Sequence, residues 1–401
     1  MKILRKISDW FFAMGRCFAR EWHICLHDMG VLLFFVMLPL MYPIAYTLIY
    51  NPEVVRKMPV AIVDHDRTFD SRKLVRDVSA SPTMEVYDYV PDMSAAKDLM
   101  ARGDVFAILE IPRNYGKKIG RMVTAHATLY TQMSLLLRYR GFAGSITDVQ
   151  LKDIAEITGE RAALLGQAGA QLNGKPIENN AHMLGDIEQG FASFVMPGIL
   201  ILILQQSMIL GICMLTGTSR ERRRKNHGID PLLVQNVPAT ALIWGRTFCY
   251  TTFFAAAAIW LLHWVPEIFS LPHFGSAKDW MLFILPFIIS TAFFGQTLSY
   301  FVHDRESSFI VIAFTSVIFL FLSGLTWPMY AMPDLWVEIG KLIPSTWAVP
   351  GFIRINSNAA TLADNFTPYI WLWILSAVYF IASWIVIRRI ERREGPRAYV
   401  N

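Results

Sequence analysis

Six apolar runs without Asp, Glu, Lys or Arg constrain this chain more than anything else in it. Val31 to Tyr50 is twenty residues long, and at about 1.5 Å per residue it matches a hydrocarbon core of roughly 30 Å. Phe191 to Thr218, Thr247 to Pro266, Trp280 to Val302, Ser307 to Met332 and Asn365 to Ile387 have the same character. Lipid satisfies no backbone N–H or C=O, so such runs fold as membrane-spanning helices that satisfy their own. Over the whole chain 54% of residues are hydrophobic and only 17% charged, which excludes an ordinary soluble domain. The predicted class is a polytopic α-helical membrane protein with six transmembrane helices. Pro39 and Pro43 are expected to kink the first span.

The cations fix the orientation. Lys and Arg number sixteen on one side, in the N-terminal arm, 219–237, the HDRES turn (303–307) and the tail, against Lys278, Lys341 and Arg354 on the other. Positive charge stays in the cytoplasm, so both termini are expected there and 51–190 on the far side. Residues 1–29 place Ile3, Ile7, Trp10, Phe11, Met14 and Phe18 at helical spacing among five cations, which predicts a cytoplasmic amphipathic interface helix. The first transmembrane helix is then 30–50, a five-helix region 191–387, and a basic cytoplasmic tail 388–401. Arg220, Arg222, Arg223, Arg224 and Lys225 hold the 219–246 loop in the cytoplasm. Asp230 followed by Pro231 reads there as the start of a short helix carrying Leu232 and Leu233, too short to span.

Between the first two spans the chemistry becomes that of a folded domain. PVAIVDHD (59–66), MEVYDY (84–89), VFAILEIP (105–112) and HATLYTQ (126–132) read as strands, and Phe69–Ala80, 92–103 and Arg113–Met122 as helices between them. This alternation predicts an α/β domain over 51–190. Met133 to Leu172 reads as one or two long helices leading back to the membrane.

Few motifs carry chemistry. GAQLNGKP (169–176) fits a phosphate loop until Pro176 stands where Ser or Thr should hold the metal, and it reads as an inter-helix loop. Asp64, His65, Asp66 and Asp70 could be metal ligands, but Asp is common in strand-to-helix loops because it caps, and capping is the stronger reading. His263 and Glu267 read as headgroup-boundary polar groups. Gln205, Gln206 and Gln296 lie inside spans, where amides either line a path or bond helix to helix. Cys17, Cys25, Cys213 and Cys249 offer no disulfide framework and no thiolate metal spacing. No catalytic constellation is present.

With this topology the chain resembles the type-two ABC transporter permeases. PVAIVDHDRTFDSRKLVRDVSASPTMEVYDYV with AAKDLMARGDVFAILEIPRNYGKKI resembles that family's extracytoplasmic domain. GIDPLLVQNVPATALIWGR resembles its cytoplasmic loop after the second span. LSGLTWPMYAMPDLWVEIGKLIPSTWAVPGFIRI (322–355) is similar to its re-entrant hairpin, about 327–345, with Gly324, Pro328, Met332, Pro333 and Pro344 as landmarks.

The resemblance implies a permease subunit of an ATP-driven exporter in a bacterial inner membrane, without enzymatic activity or cofactor of its own. ATP and Mg would be bound by a separate ABC ATPase subunit. Arg220, Arg222, Arg223, Arg224, Asp230, Pro231, Leu232, Leu233, Asp304 and Arg305 would couple the two, and Gln205, Gln206 and Gln296 would line the substrate path. It also implies a second permease copy or paralogue, a periplasmic adaptor with an outer-membrane channel, lipid contacts and no nucleic acid. The apolar spans point to an amphiphilic or hydrophobic cargo. A membrane-embedded transferase, and a sensor or scaffold using 51–190, are the rival readings.

Overall fold

The computed structural model describes every residue except 1, 51–55, 122, 124, 132–140, 150, 153–190, 227–229, 233, 235–236, 272 and 394–401. The 169–176 loop, most of Met133–Leu172, Leu233 and Arg397 lie outside the described residues. The chain divides into two units, Met1–Asn51 with Met183–Asn401, and Pro52–His182.

Helix α1 spans Lys2–His27. Asp28 then caps α2, Met29–Ile49, by accepting from the N–H groups of Gly30 and Val31. Where a kink is expected from the prolines, the helix has a π-turn at Leu33–Met37, immediately before Pro39. Pro39 has no N–H for the carbonyl one α-turn back, and the Leu38 N–H bonds to the Leu33 carbonyl instead. The buried face of α1 is Ala13, Cys17, Glu21, Ile24 and Cys25, whereas Leu4, Ile7, Phe11 and Phe12 are exposed. Ile7 and Phe11 of the apolar face read at helical spacing are thus open, and the buried stripe includes an acid.

The second unit is a four-stranded sheet of order β2-β1-β3-β4, built from β1 Met58–Asp64, β2 Met84–Tyr89, β3 Ala107–Ile111 and β4 Thr128–Thr131. The first three strands run parallel and β4 antiparallel. Helices α3 Phe69–Ala80, α4 Met93–Arg102, α5 Tyr115–Gly120 and α6 (141–149) complete it. Central β1 is apolar from Met58 to Val63 because both its faces are covered. Val60 and Ile62 meet Leu74, Val75, Val78 and Phe142, while Ala61 and Val63 meet Ala96 and Val105. The four strands read from the sequence and the three helices between them are present, each within a few residues of its expected ends. Gly103 closes α4 at φ +83°, a backbone state glycine adopts without strain.

The Asp64–Asp70 cluster does cap, although not as simple helix N-caps. Asp64 accepts from the N–H groups of Asp66 and Arg67, Asp66 accepts from the Thr68 hydroxyl, and Thr68 is the residue that caps α3.

Among the described residues, five helices are long and apolar enough to cross a membrane: α2, α7 (Val195–Lys225 of the full helix Phe191–Lys225), α8 Ala239–Ile268, α9 Ala277–Phe301 and α13 (Phe366–Arg389 of Phe366–Arg393). The expected span Ser307–Met332 is a shorter helix, α10 Ser307–Leu322. It stops because Gly324 takes φ +79° and Pro328 and Pro333 follow. The hairpin expected at about 327–345 is larger. Its first arm, with short α11 Asp334–Gly340, leaves Trp327, Tyr330, Leu335 and Trp336 exposed. Its second arm is α12 Pro344–Asn358, which starts on Pro344 and buries Ser345, Ala348, Val349, Phe352 and Ile355 among α7 and α9. Met332 packs beside Ile343, Phe319 and Leu322.

Candidate functional site

The arginine-rich segment expected as loop is helix. Arg220 to Lys225 form the last turns of α7, since Arg, Lys and Glu are good helix formers and nothing there breaks the backbone. The 219–246 loop thereby shrinks to 226–238, because α8 already begins at Ala239. No helix starts at Asp230 among the described residues. Its carboxylate is taken by tertiary partners: Ser219 Oγ at 2.6 Å, Arg222 Nε at 3.0 Å and Nη2 at 3.1 Å, and the Leu232 N–H at 3.0 Å. Pro231 is exposed.

Leu232 turns inward onto the helical core, and its carbonyl accepts from Arg20 Nε of α1 at 2.6 Å. It anchors the loop rather than offering an apolar knob to a partner. On this stretch Arg224, Lys225, Asn226, Pro231 and Pro238 face outward.

The HDRES turn is tied to the same end. Arg305 forms a bidentate pair with Asp28, Nη2 to Oδ1 at 2.6 Å and Nη1 to Oδ2 at 2.8 Å, and reaches Thr218 Oγ1 at 3.4 Å. Its backbone N–H donates to Glu221 Oε1 at 2.7 Å. The backbone of Asp304 lies directly on Gly217, where a Cβ would stand 2.5 Å from the Asp304 carbonyl oxygen. The Asp304 side chain accepts from the Ser307 N–H at the start of α10. Arg220 donates to the carbonyls of Tyr300 and Val302, closing the end of α9. One and a half turns of α7, 217–222, thus hold the start of α2, the 226–238 loop and the α9–α10 turn together, and α1 joins them through Arg20 on the loop. His23, His27, Asp28, Arg222, Leu232 and Arg305 surround a cavity of about 460 Å³ at this junction.

Two carboxyls here are held below the usual carboxylate range. Burial raises both, but Arg305 with the Val31 and Gly30 N–H groups outweighs it at Asp28, and Arg222, Ser219 and the Leu232 N–H outweigh it at Asp230. A depressed carboxyl contributes stability that is complete above its unfolded value, about 3.9, and is lost as pH falls through the lower folded value. Detergent-solubilised protein is therefore expected to keep the junction at pH 5. A double-mutant cycle on Asp28→Asn and Arg305→Gln should give about 1.5–3 kcal/mol of coupling. Additive single effects in thermal unfolding would show that the pair contributes nothing.

A second polar centre was not expected. Glu21 is 3% exposed. It accepts from the Tyr250 hydroxyl at 2.5 Å and from Arg246 Nε at 3.3 Å, joining α1 to α8. A lone acid within the i, i+4 stripe Cys17–Glu21–Cys25 was its sequence signal. Asp28, directly before a charge-free run, carried an N-cap signal. The expected path residues bond different helices: Gln205 donates to Ser345 on α12 at 3.0 Å and Gln296 to Thr247 on α8 at 2.8 Å. Neither amide atom of Gln206 has a hydrogen-bond partner among the described residues. Glu267 accepts from His273 rather than meeting His263.

No curated protein matches the chain. A family profile described as ABC-2 family transporter protein matches residues 29–385. The matched region runs from the first residue of α2 to the later turns of α13 and includes the α7 and α9–α10 side of the junction. The chain belongs to the ABC-2 family of transporter proteins, the membrane permease components of ABC transporters, which act with an ABC ATPase.

Proposed function

We propose that the chain is the transmembrane subunit of an ATP-driven exporter, moving an amphiphilic or hydrophobic compound out of the cytoplasm or the inner leaflet. In this reading α10 is a sixth, short span that thins the bilayer locally or is completed by the hairpin. Both termini and the α7–α10 junction face the cytoplasm of a bacterial inner membrane, and Pro52–His182 faces the periplasm. Two permeases form the pore, and the periplasmic unit meets an adaptor that leads to an outer-membrane channel. The exposed Leu4, Ile7, Phe11 and Phe12 of α1 enter the lipid headgroup layer. ATP and Mg stay on the partner ATPase.

The observation that carries the reading is the convergence of α2, the 226–238 loop and the α9–α10 turn on residues 217–222 of α7, with α1 tied to the loop. A push on the outward-facing Arg224, Lys225 and Pro231 is passed to α2 and α10 through the part-buried Arg222–Asp230 and Arg305–Asp28 pairs, and to α1 through the Arg20–Leu232 hydrogen bond, so that nucleotide closure biases the bundle between two states. Gln206, with its unpartnered amide, is the foremost of the three glutamines to meet cargo, since Gln205 and Gln296 already bond neighbouring helices.

Co-purification of the full chain from its native host should bring down an ABC ATPase. Within that complex Arg224→Glu with Lys225→Glu is expected to cut substrate-stimulated ATP hydrolysis at least tenfold while leaving the permease monodisperse. Unchanged stimulation would remove this face from the coupling route. A transferase reading would require turnover by the purified chain without any ATPase.

A further inference from the structure

At the carboxyl edge of the parallel strands, where open α/β sheets take ligands, there are two crevices. The first, between β1 and β3, is closed by the chain itself. Asp66 Oδ2 accepts from the Gly116 N–H at 2.9 Å and from Thr68 Oγ1 at 2.6 Å, so a carboxylate already occupies the opening of α5. The second, between the ends of β1 and β2, is open and has a volume of about 440 Å³, within the range of roughly 300–1,000 Å³ typical of small-molecule sites.

We propose that this second crevice binds a small organic anion. Its carboxylate or phosphate group lies between Arg67 and Arg72, and its apolar body lies against Tyr89 and Pro91. Asp64 is the one acid of the lining, and both its oxygens are committed. Oδ1 accepts from the Asp66 and Arg67 N–H groups, each at 2.9 Å, and Oδ2 from Ser71 Oγ at 2.8 Å. The side-chain guanidinium of Arg67 has no hydrogen-bond or acidic partner among the described residues. Arg72 gives Nε to the Thr68 carbonyl at 3.1 Å, which fixes its guanidinium plane at the crevice wall. Arg67 also sits at φ +54°. A side chain in that region costs about 1–2 kcal/mol, and such strain concentrates where a group must be aimed. A forked, partnerless guanidinium beside a second one is a receptor for a two-oxygen anion. Exposed Tyr89, with Val90 and Pro91, supplies the flat apolar wall. The proposal goes beyond the permease reading and stands or falls without it.

The test uses the full chain in neutral detergent, titrated with 4-fluorophenyl phosphate and followed by fluorine NMR line width, with 4-fluorophenol as the uncharged control. Wild type should broaden the phosphate signal saturably. Arg67→Gly and Arg72→Gln should each weaken binding by about tenfold or more, the loss expected for a charge-assisted pair, while the phenol signal stays the same in all three proteins. Arg67→Gly relieves the left-handed backbone, so unfolding does not explain its loss, and its thermal midpoint should equal or exceed wild type. Displacement by inorganic phosphate would assign the site to free oxyanions. Binding that inorganic phosphate cannot displace, yet that depends on both arginines, would assign it to anions carrying an apolar body. Equal broadening in wild type and both variants would overturn the proposal.

Discussion

Glu21→Ala is expected to detach α1 from α8, with a loss of about 3–5 kcal/mol, the usual cost of removing one partner of a buried ion pair. It leaves the Arg246 guanidinium, 16% exposed, without its counter-charge and the buried Tyr250 hydroxyl without its acceptor. The chain's own thiols report the outcome. Cys17, Cys25 and Cys249 are at most 2% exposed, and Cys25 hydrogen-bonds to Cys249 across the helix pair. That bond and burial raise the Cys25 thiol well above its ordinary value, so it is doubly unreactive. Wild type should resist maleimide in mild detergent, and Glu21→Ala should label about a hundredfold faster or more, following the lost free energy of docking. Replacing both charges, Glu21→Leu with Arg246→Leu, should restore much of the protection, because an apolar pair of similar volume often substitutes for a buried ionic one. Equal labelling of wild type and Glu21→Ala would mean that α1 is held by its apolar face alone.

The second large effect is expected from a small change, Gly217→Ala. By helix propensity alone this substitution should stabilise α7 by about 1 kcal/mol. Instead the added methyl carbon would stand 2.5 Å from the Asp304 carbonyl oxygen, 2.6 Å from its carbon and 2.8 Å from the Arg305 nitrogen. Backbone cannot swing aside as a side-chain tip can. The 303–306 turn must lift, and Arg305 leaves Asp28 while its N–H leaves Glu221. Overpacking and the lost charged hydrogen bonds outweigh propensity, for a net destabilisation of about 2–4 kcal/mol. The comparison is Gly15→Ala in α1, where nothing lies within 4 Å and the gain in thermal midpoint should be seen. If Gly217→Ala also gained stability, the α9–α10 turn would not rest on α7.

The long helices were legible because an uncharged apolar run of twenty residues has few other ways to satisfy its backbone in lipid. The α/β unit was legible because apolar strands, β1 and β3 buried on both faces, alternate with capped helices followed by glycine or proline. What local pattern could not show was competition from distant partners. Asp230 followed by Pro231 has the form of a helix start, yet Ser219 and Arg222 claim its carboxylate from α7. Leu232 looked like a docking residue because no sequence window contains Arg20, which holds its carbonyl. Glu21, Arg246 and Tyr250 meet across more than 220 residues, and only the odd acid in an apolar stripe hinted at them. Ser307–Met332 reads as one span in the sequence because hydropathy does not register the left-handed Gly324. The arginine block reads as loop because charge marks the end of the membrane, and nothing in the local pattern shows that the helix runs on past it.

That block has a mechanical meaning. Helix α7 is one uninterrupted rod of 35 residues, about 52 Å at 1.5 Å per residue, against a hydrocarbon core of roughly 30 Å. Its one internal proline, Pro197, lies near the opposite end from the arginines. A tilt of about 5° about one end would carry the other through roughly 4–5 Å, with no hinge between to absorb the stroke. A lever of this kind turns a small tilt imposed beside the arginines into a displacement of several ångström at its other end.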